Sequence, residues 1–186
     1  MTHNAEEMLK GMAKAAELYP LLPGLVYRSF YDFVIQHGRE YTIVPFTGMK
    51  APRLKCFGNA MVRSAMFGMP YVEGFAMSPK GDVILHAWNA DENGDVHDST
   101  WCNTGIAYIG VEFSAERADD AIWNGDNCVL NDENRNYPIY QKPWTGEDYS
   151  LIWPYSDRLE ALRRRDITLA KSVEEYALAK IASDSV

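Results

Sequence analysis

The order of elements predicts an α+β fold. Two helical patterns come first, four strand patterns crowd the middle and helical patterns close the chain, with no strand–helix–strand alternation that would suggest a parallel sheet. Glu92-Asn93-Gly94 between two apolar runs is a hairpin signature and argues for antiparallel pairing. Residues 4–19 read as a helix, with Asn4 as cap, Glu6 and Glu7 at the positive end, Met8, Met12, Ala15, Ala16 and Tyr19 on one stripe, and Pro20 and Pro23 as stops. A second helix is expected over 26–37, with Gly38 as a left-handed stop. Residues 41–46 suggest a short strand that Pro45 confines to an edge. After a loop over 47–55, apolar residues at helical spacing predict a buried helix that begins at Cys56 and stops at Gly68. Strands are expected at 70–77, 82–90, 95–101 and 105–113, followed by a helix over 115–123 capped by Ser114.

Residues 124–155 form a long aromatic-rich loop region; Trp123, Tyr137, Tyr140, Trp144, Tyr149, Trp153 and Tyr155 are expected to pack it onto the sheet, the functional alternative being an aromatic rim that binds substrate. Helices over 156–165 and 172–183 close the chain, the second with a capping box from Ser172 to Glu175. The whole is expected to be one domain: a helical part at 1–46, a core at 47–123, the loop region and C-terminal helices at 156–186.

Composition narrows the function. A chain of 186 residues can bury a core without covalent staples, and 47% hydrophobic with 24% charged residues is globular, not disordered. The net charge of −8 repels phosphate backbones and argues against a general nucleic-acid binder. No apolar run approaches the roughly 18 residues of a membrane span. The N-terminal stretch, with Glu6, Glu7 and Glu17, reads as neither a signal nor a transit peptide. Three scattered cysteines, Cys56, Cys102 and Cys128, fit free thiols in a reducing cytoplasm. They lack the paired spacing of a zinc site, so no metal or cofactor is implied, and a monomer is the default.

The middle of the chain carries the chemistry. Cys56 lies where a loop becomes a helix, so the positive end of the helix, with Arg53 and Lys55 close by, favours a thiolate. His86 follows on an apolar strand and Asp98 on the strand returning from the hairpin. Nucleophile, base and orienting acid thus come in chain order. Hairpin parity tests this. A two-residue Asn93-Gly94 turn would place Asp98 opposite Asn89, away from His86. A three-residue loop with Gly94 in the left-handed position places it opposite Trp88 and diagonal to His86, on the same face. The catalytic reading needs the second register, and that register is predicted.

These residues resemble the transglutaminase-like branch of the papain-like cysteine enzymes. The elements are Cys56-Phe57-Gly58-Asn59-Ala60 opening a helix, Gly68-Met69-Pro70-Tyr71-Val72-Glu73-Gly74-Phe75, His86-Ala87-Trp88 and Asp98-Ser99-Thr100-Trp101, within a span over 56–101 that is about a quarter of the chain. Ser99 stands where the family often has proline, and no upstream side chain is assignable to the oxyanion hole. The resemblance implies a helix bearing the thiol at its N-terminus, packed on an antiparallel sheet, here with extra N- and C-terminal helices. It implies Cys56 as nucleophile, His86 as base and Asp98 as its orienter, with Gly74, Trp88 and Trp101 lining the substrate site. The expected activity is a hydrolase or acyl transferase acting on the amide of a peptide, a protein or a small molecule through a thioester.

Bland readings stand beside these. A cysteine at a helix start is more often a small buried hydrophobe, His86 could be a satisfied core histidine and Asp98 could cap a turn. On those readings the same fold serves as a non-catalytic binding protein.

Overall fold

The computed structural model of the chain describes residues 1–126, 128–130, 141, 143 and 144. Their fold is α+β, with four helices and a curled five-stranded antiparallel sheet. The order is α1 (His3–Ala16), α2 (Phe30–His37), β1 (Arg39–Glu40), α3 (Cys56–Phe67), β2 (Tyr71–Met77), β3 (Val83–Ala90), β4 (Val96–His97), β5 (Ala107–Phe113) and α4 (Ala115–Trp123). Across the sheet the strands run β1-β5-β2-β3-β4. The expected helices over 156–165 and 172–183, and most of the aromatic loop region, lie outside the described residues. Within that region Trp144 packs edge-on against Phe33 and Phe113, as expected of its aromatics.

Two apolar layers hold the sheet. On one face Tyr71, Phe75, Ala87, Ile109, Val111 and Phe113 meet Met8 and Met12 of α1, Phe33 and Val34 of α2, Ala60 and Met61 of α3, and Ala118 and Ala121 of α4. On the other face Val72, Ala76, Trp88, Ala90, Val96 and Tyr108 close around Tyr41. The curl makes this second core. After β1 the chain crosses to the far edge, where Thr42 bridges Asp95 and exchanges backbone bonds with Gly94 and Val96.

Several boundaries differ from expectation for local reasons. Helix α1 is capped by Thr2, whose hydroxyl accepts from the Ala5 amide, while the expected cap Asn4 donates to the Ile106 carbonyl. It ends at Ala16 because the amides of Leu18 and Tyr19 turn back to Ala15 and Ala16 in tighter bonds. Helix α2 starts later than 26, where Ser29 accepts from the Asp32 amide and Asp32 accepts in return from Arg28. Its stop Gly38 is extended, with φ −75°, not left-handed; a Cβ there would sit 2.5 Å from the Val34 carbonyl oxygen. Of the strand expected over 41–46 only the Thr42 bridge forms, and the short strand β1 lies just before it. Helix α3 begins at Cys56 and ends on left-handed Gly68 (φ 66°), and α4 is capped by Ser114, as the sequence predicts.

Candidate active site

The hairpin takes the predicted register, Asn89 opposite His97 and Ala90 opposite Val96, with Gly94 left-handed at φ 79°. Strand β4 then stops short of the expected Trp101. Asp98 captures the backbone instead: its Oδ1 accepts from the amides of Thr100 (2.9 Å) and Trp101 (3.0 Å), and its own amide donates to Asn103 Oδ1 (2.8 Å). Asn103, left-handed at φ 55°, anchors the turn through its side-chain amide to the carbonyls of Val96 and Val44.

This turn leaves Asp98 Oδ2 facing β3, where it accepts from His86 Nε2 at 2.7 Å and from the Tyr108 hydroxyl at 3.0 Å. Asp98 is 0% and His86 1% exposed. With Nε2 occupied, Nδ1 is the ring nitrogen left for a second partner, and the half-buried Cys56 lies close enough for the thiol and the imidazole to shift each other's titration. The backbone amides of Ala87 and Phe57 also lie on the thiol's side and favour its charged form. The Ala87 contact follows from strand geometry. Ala90 donates to Pro70 on the β2 side, so by alternation the Ala87 amide points the other way, past the end of β4, toward the sulfur. No side chain caps α3, so the positive end of the helix is left to Cys56, its first residue.

Electrostatics follow the geometry. Burial alone would push the Cys56 thiol up, yet the hydrogen bond and charge of His86 and the two amides bring it below the ordinary thiol value. Burial would likewise lower His86, but Asp98 first, then Cys56, raise it to about 9. Both directions favour a thiolate beside an imidazolium.

Asn59 was missed in the sequence. One turn into α3, it donates to the Thr100 hydroxyl (2.9 Å) and the Pro52 carbonyl (2.7 Å), tying the cysteine's helix to the aspartate's turn. Tyr108 was missed as well, because nothing in the sequence says which side chains of β5 share the His86 face of the sheet. A Tyr108→Phe protein should lose about 1 kcal/mol in urea unfolding, since Asp98 and the Gly105 amide each lose a partner. Its Cys56 alkylation rate should change by less than about tenfold, because the His86–Asp98 bond remains.

The three residues expected to line a substrate site separate. Trp101 is half-exposed and stacks on the His86 ring at 4.4 Å, a position from which it can touch a ligand. Trp88 is 1% exposed, held edge-on by Tyr41 and Tyr108, and it belongs to the core. Gly74 is buried in mid-sheet opposite His86 and Gly110, where its lack of a side chain lets β2 and β5 approach. For both, alternation along the strand places them on the His86 face, but the curl of the sheet covers that face.

A second buried carboxylate, Glu73, accepts from the Tyr71 hydroxyl (2.9 Å) and from the amides of Val129 (2.9 Å) and Leu130. Burial raises its carboxyl to about 7 against the pull of those bonds. It fastens the segment after α4 to the centre of the sheet. Among the described residues there is no group of three or more His, Cys, Asp or Glu able to hold a metal ion, and no helix long and apolar enough to cross a membrane. No protein-family model, no curated protein and no solved structure matches the chain.

Proposed function

We propose that the chain is a cysteine-dependent hydrolase or acyl transferase of transglutaminase-like type, acting on an amide of a peptide, a protein or a small molecule. The observation that supports this reading is the placement of His86 between a carboxylate and a thiol: Nε2 is held by Asp98 at 2.7 Å, and Cys56 lies close enough to the same ring for each to shift the other's titration. A satisfied core histidine needs one such partner; a general base acting on a nucleophile needs both.

In the proposed cycle the Cys56 thiolate attacks the carbonyl carbon, and the oxyanion forms near the Cys56 amide, one of those a helix start leaves without an intrahelical partner. The carbon–nitrogen bond breaks as His86 Nδ1 gives its proton to the leaving amine. The resulting thioester is attacked by water or by a second amine, whose proton returns to Nδ1, and the thiolate leaves. Asp98 keeps the Nε2–H throughout, holding the ring in register.

Alkylation by iodoacetamide at pH 6, followed cysteine by cysteine by mass spectrometry, tests this. Cys56 should react roughly 10–100 times faster than Cys102 and Cys128, and His86→Ala should remove that advantage. Equal rates at all three thiols, or no effect of His86→Ala, would leave a binding protein built on the same fold. Incubation of the wild type and Cys56→Ala with a peptide mixture then separates cleavage from cross-linking.

A further inference from the structure

The segment that delivers Cys56 is unlike the rest of the chain. From Tyr41 to Val72 there is no Asp or Glu, yet there are Lys50, Arg53, Lys55 and Arg63, in a chain of net charge −8. Lys50 and Arg53 are exposed and make no ion pair among the described residues. They border a groove of about 450 Å³ whose walls include Leu54, Pro79, Trp101 and Thr104.

Two features tie this groove to the candidate nucleophile. Trp101, one wall, is the ring stacked on His86, and Leu54, another, lies two residues before Cys56. The loop is held in place: the Ala51 amide donates to Ser99, and Pro52 accepts from Asn59. Leu54 is also odd in itself. It is 99% exposed and left-handed at φ 63°, a conformation that costs a leucine and suits glycine. An aliphatic side chain held in solvent on a strained backbone contributes nothing visible to the fold, and such strain clusters at ligand sites.

We propose that this groove is the specificity site for the acyl donor and takes an acidic peptide segment, with an aliphatic side chain against Leu54 and Trp101 and a carboxylate between Lys50 and Arg53. This rests on the reading of Cys56 as a nucleophile. A cationic lip on an otherwise acidic molecule raises the local concentration of anionic partners and turns neutral or basic ones away.

The test uses two bromoacetyl dipeptide amides that differ only in carrying leucyl-glutamate or leucyl-glutamine. In each the thiolate displaces bromide, forming a carbon–sulfur bond as the carbon–bromine bond breaks. At low ionic strength the glutamate probe should modify Cys56 at least about fivefold faster, and the advantage should shrink in about 0.5 M salt as screening shortens the field. The double substitution Lys50→Gln, Arg53→Gln should equalise the two probes. Leu54→Gly should raise the thermal midpoint, yet lower the rate for the glutamate probe relative to one with glycine in place of leucine. If wild-type Cys56 reacts rapidly with iodoacetamide but treats both dipeptides alike, the groove proposal is overturned and the nucleophile stands. Because Cys102 itself lines the groove, Cys128 is the reference thiol: if Cys56 is no faster than Cys128 with iodoacetamide, the nucleophile reading falls and the groove proposal falls with it.

Discussion

An Asp98→Asn protein is expected to unfold more readily and to lose most of the reactivity of Cys56, although the change removes only a charge. The carboxylate accepts four hydrogen bonds, from His86 and Tyr108 on one oxygen and from the Thr100 and Trp101 amides on the other. An asparagine amide has one oxygen to offer, so its NH₂ must confront a pair of donors at a site with 0% exposure. Leaving donors unpaired there should cost about 3 kcal/mol in urea unfolding. If the NH₂ faces His86, the ring is forced into the tautomer that donates toward the sulfur, and no imidazolium is favoured. A rate loss of roughly 10²–10⁴ is the scale for such a change in an orienting acid.

The pH dependence separates the partners. His86, raised to about 9 from 6.5, contributes stability that is full below 6.5 and is lost as pH rises through 9. Cys56, lowered from 9, contributes stability that is present above 9 and is lost as pH falls through its folded value. Where both act, the proton His86 holds is the one Cys56 has given up, and the two slopes offset each other. Cys56→Ala removes one of them, so relative to wild type its urea midpoint should fall as pH rises above 6.5. Adding Asp98→Asn should flatten that difference. Glu73 contributes equally to both proteins and drops out of the comparison. If the Cys56→Ala profile parallels that of the wild type, the two groups do not share a proton.

Gly74→Ala should be the most destabilising methyl that can be added to the sheet. A Cβ at that position would overlap the Ile109 carbonyl oxygen and the Gly110 Cα, both backbone atoms of β5 that no side-chain rotation can move. The strands would have to part at the centre of the sheet, directly opposite His86. Overpacking usually costs about 1–3 kcal/mol, and a clash against two backbone atoms belongs at or above the top of that range. A thermal midpoint within a degree or two of wild type would mean that β2 and β5 are less tightly apposed than described. By contrast, Gly58→Ala has open space around its Cβ and should be tolerated.

Much of this was legible in the sequence because its signals were local and agreed with one another. The start of α3 at Cys56, its glycine stop, the Ser114 cap and the hairpin register each followed from residues within a few positions, and the register alone brought Asp98 to the face of His86. What stayed hidden depends on contacts across the fold. Strand β4 ends early because a side chain, not a strand, takes its amides, and a polar residue in a β pattern does not announce which it will do. Tyr108 and Asn59 reach the site through packing between distant elements, which periodicity does not register. Trp88 shares the His86 face by alternation, but a chain crossing from one sheet edge to the other seals that face with Tyr41.

The outward amide of Ala87 has a consequence of its own. It turns away from β2 beyond the last paired residue of β4 and bears on the Cys56 sulfur, so its environment varies with whatever the sulfur carries. Proton loss, acylation or alkylation at position 56 should therefore move one amide proton resonance in the middle of β3 while its neighbours on the β2 side stay still. A nitrogen-labelled sample would then display the chemical state of the thiol in a single cross-peak, with no substrate required.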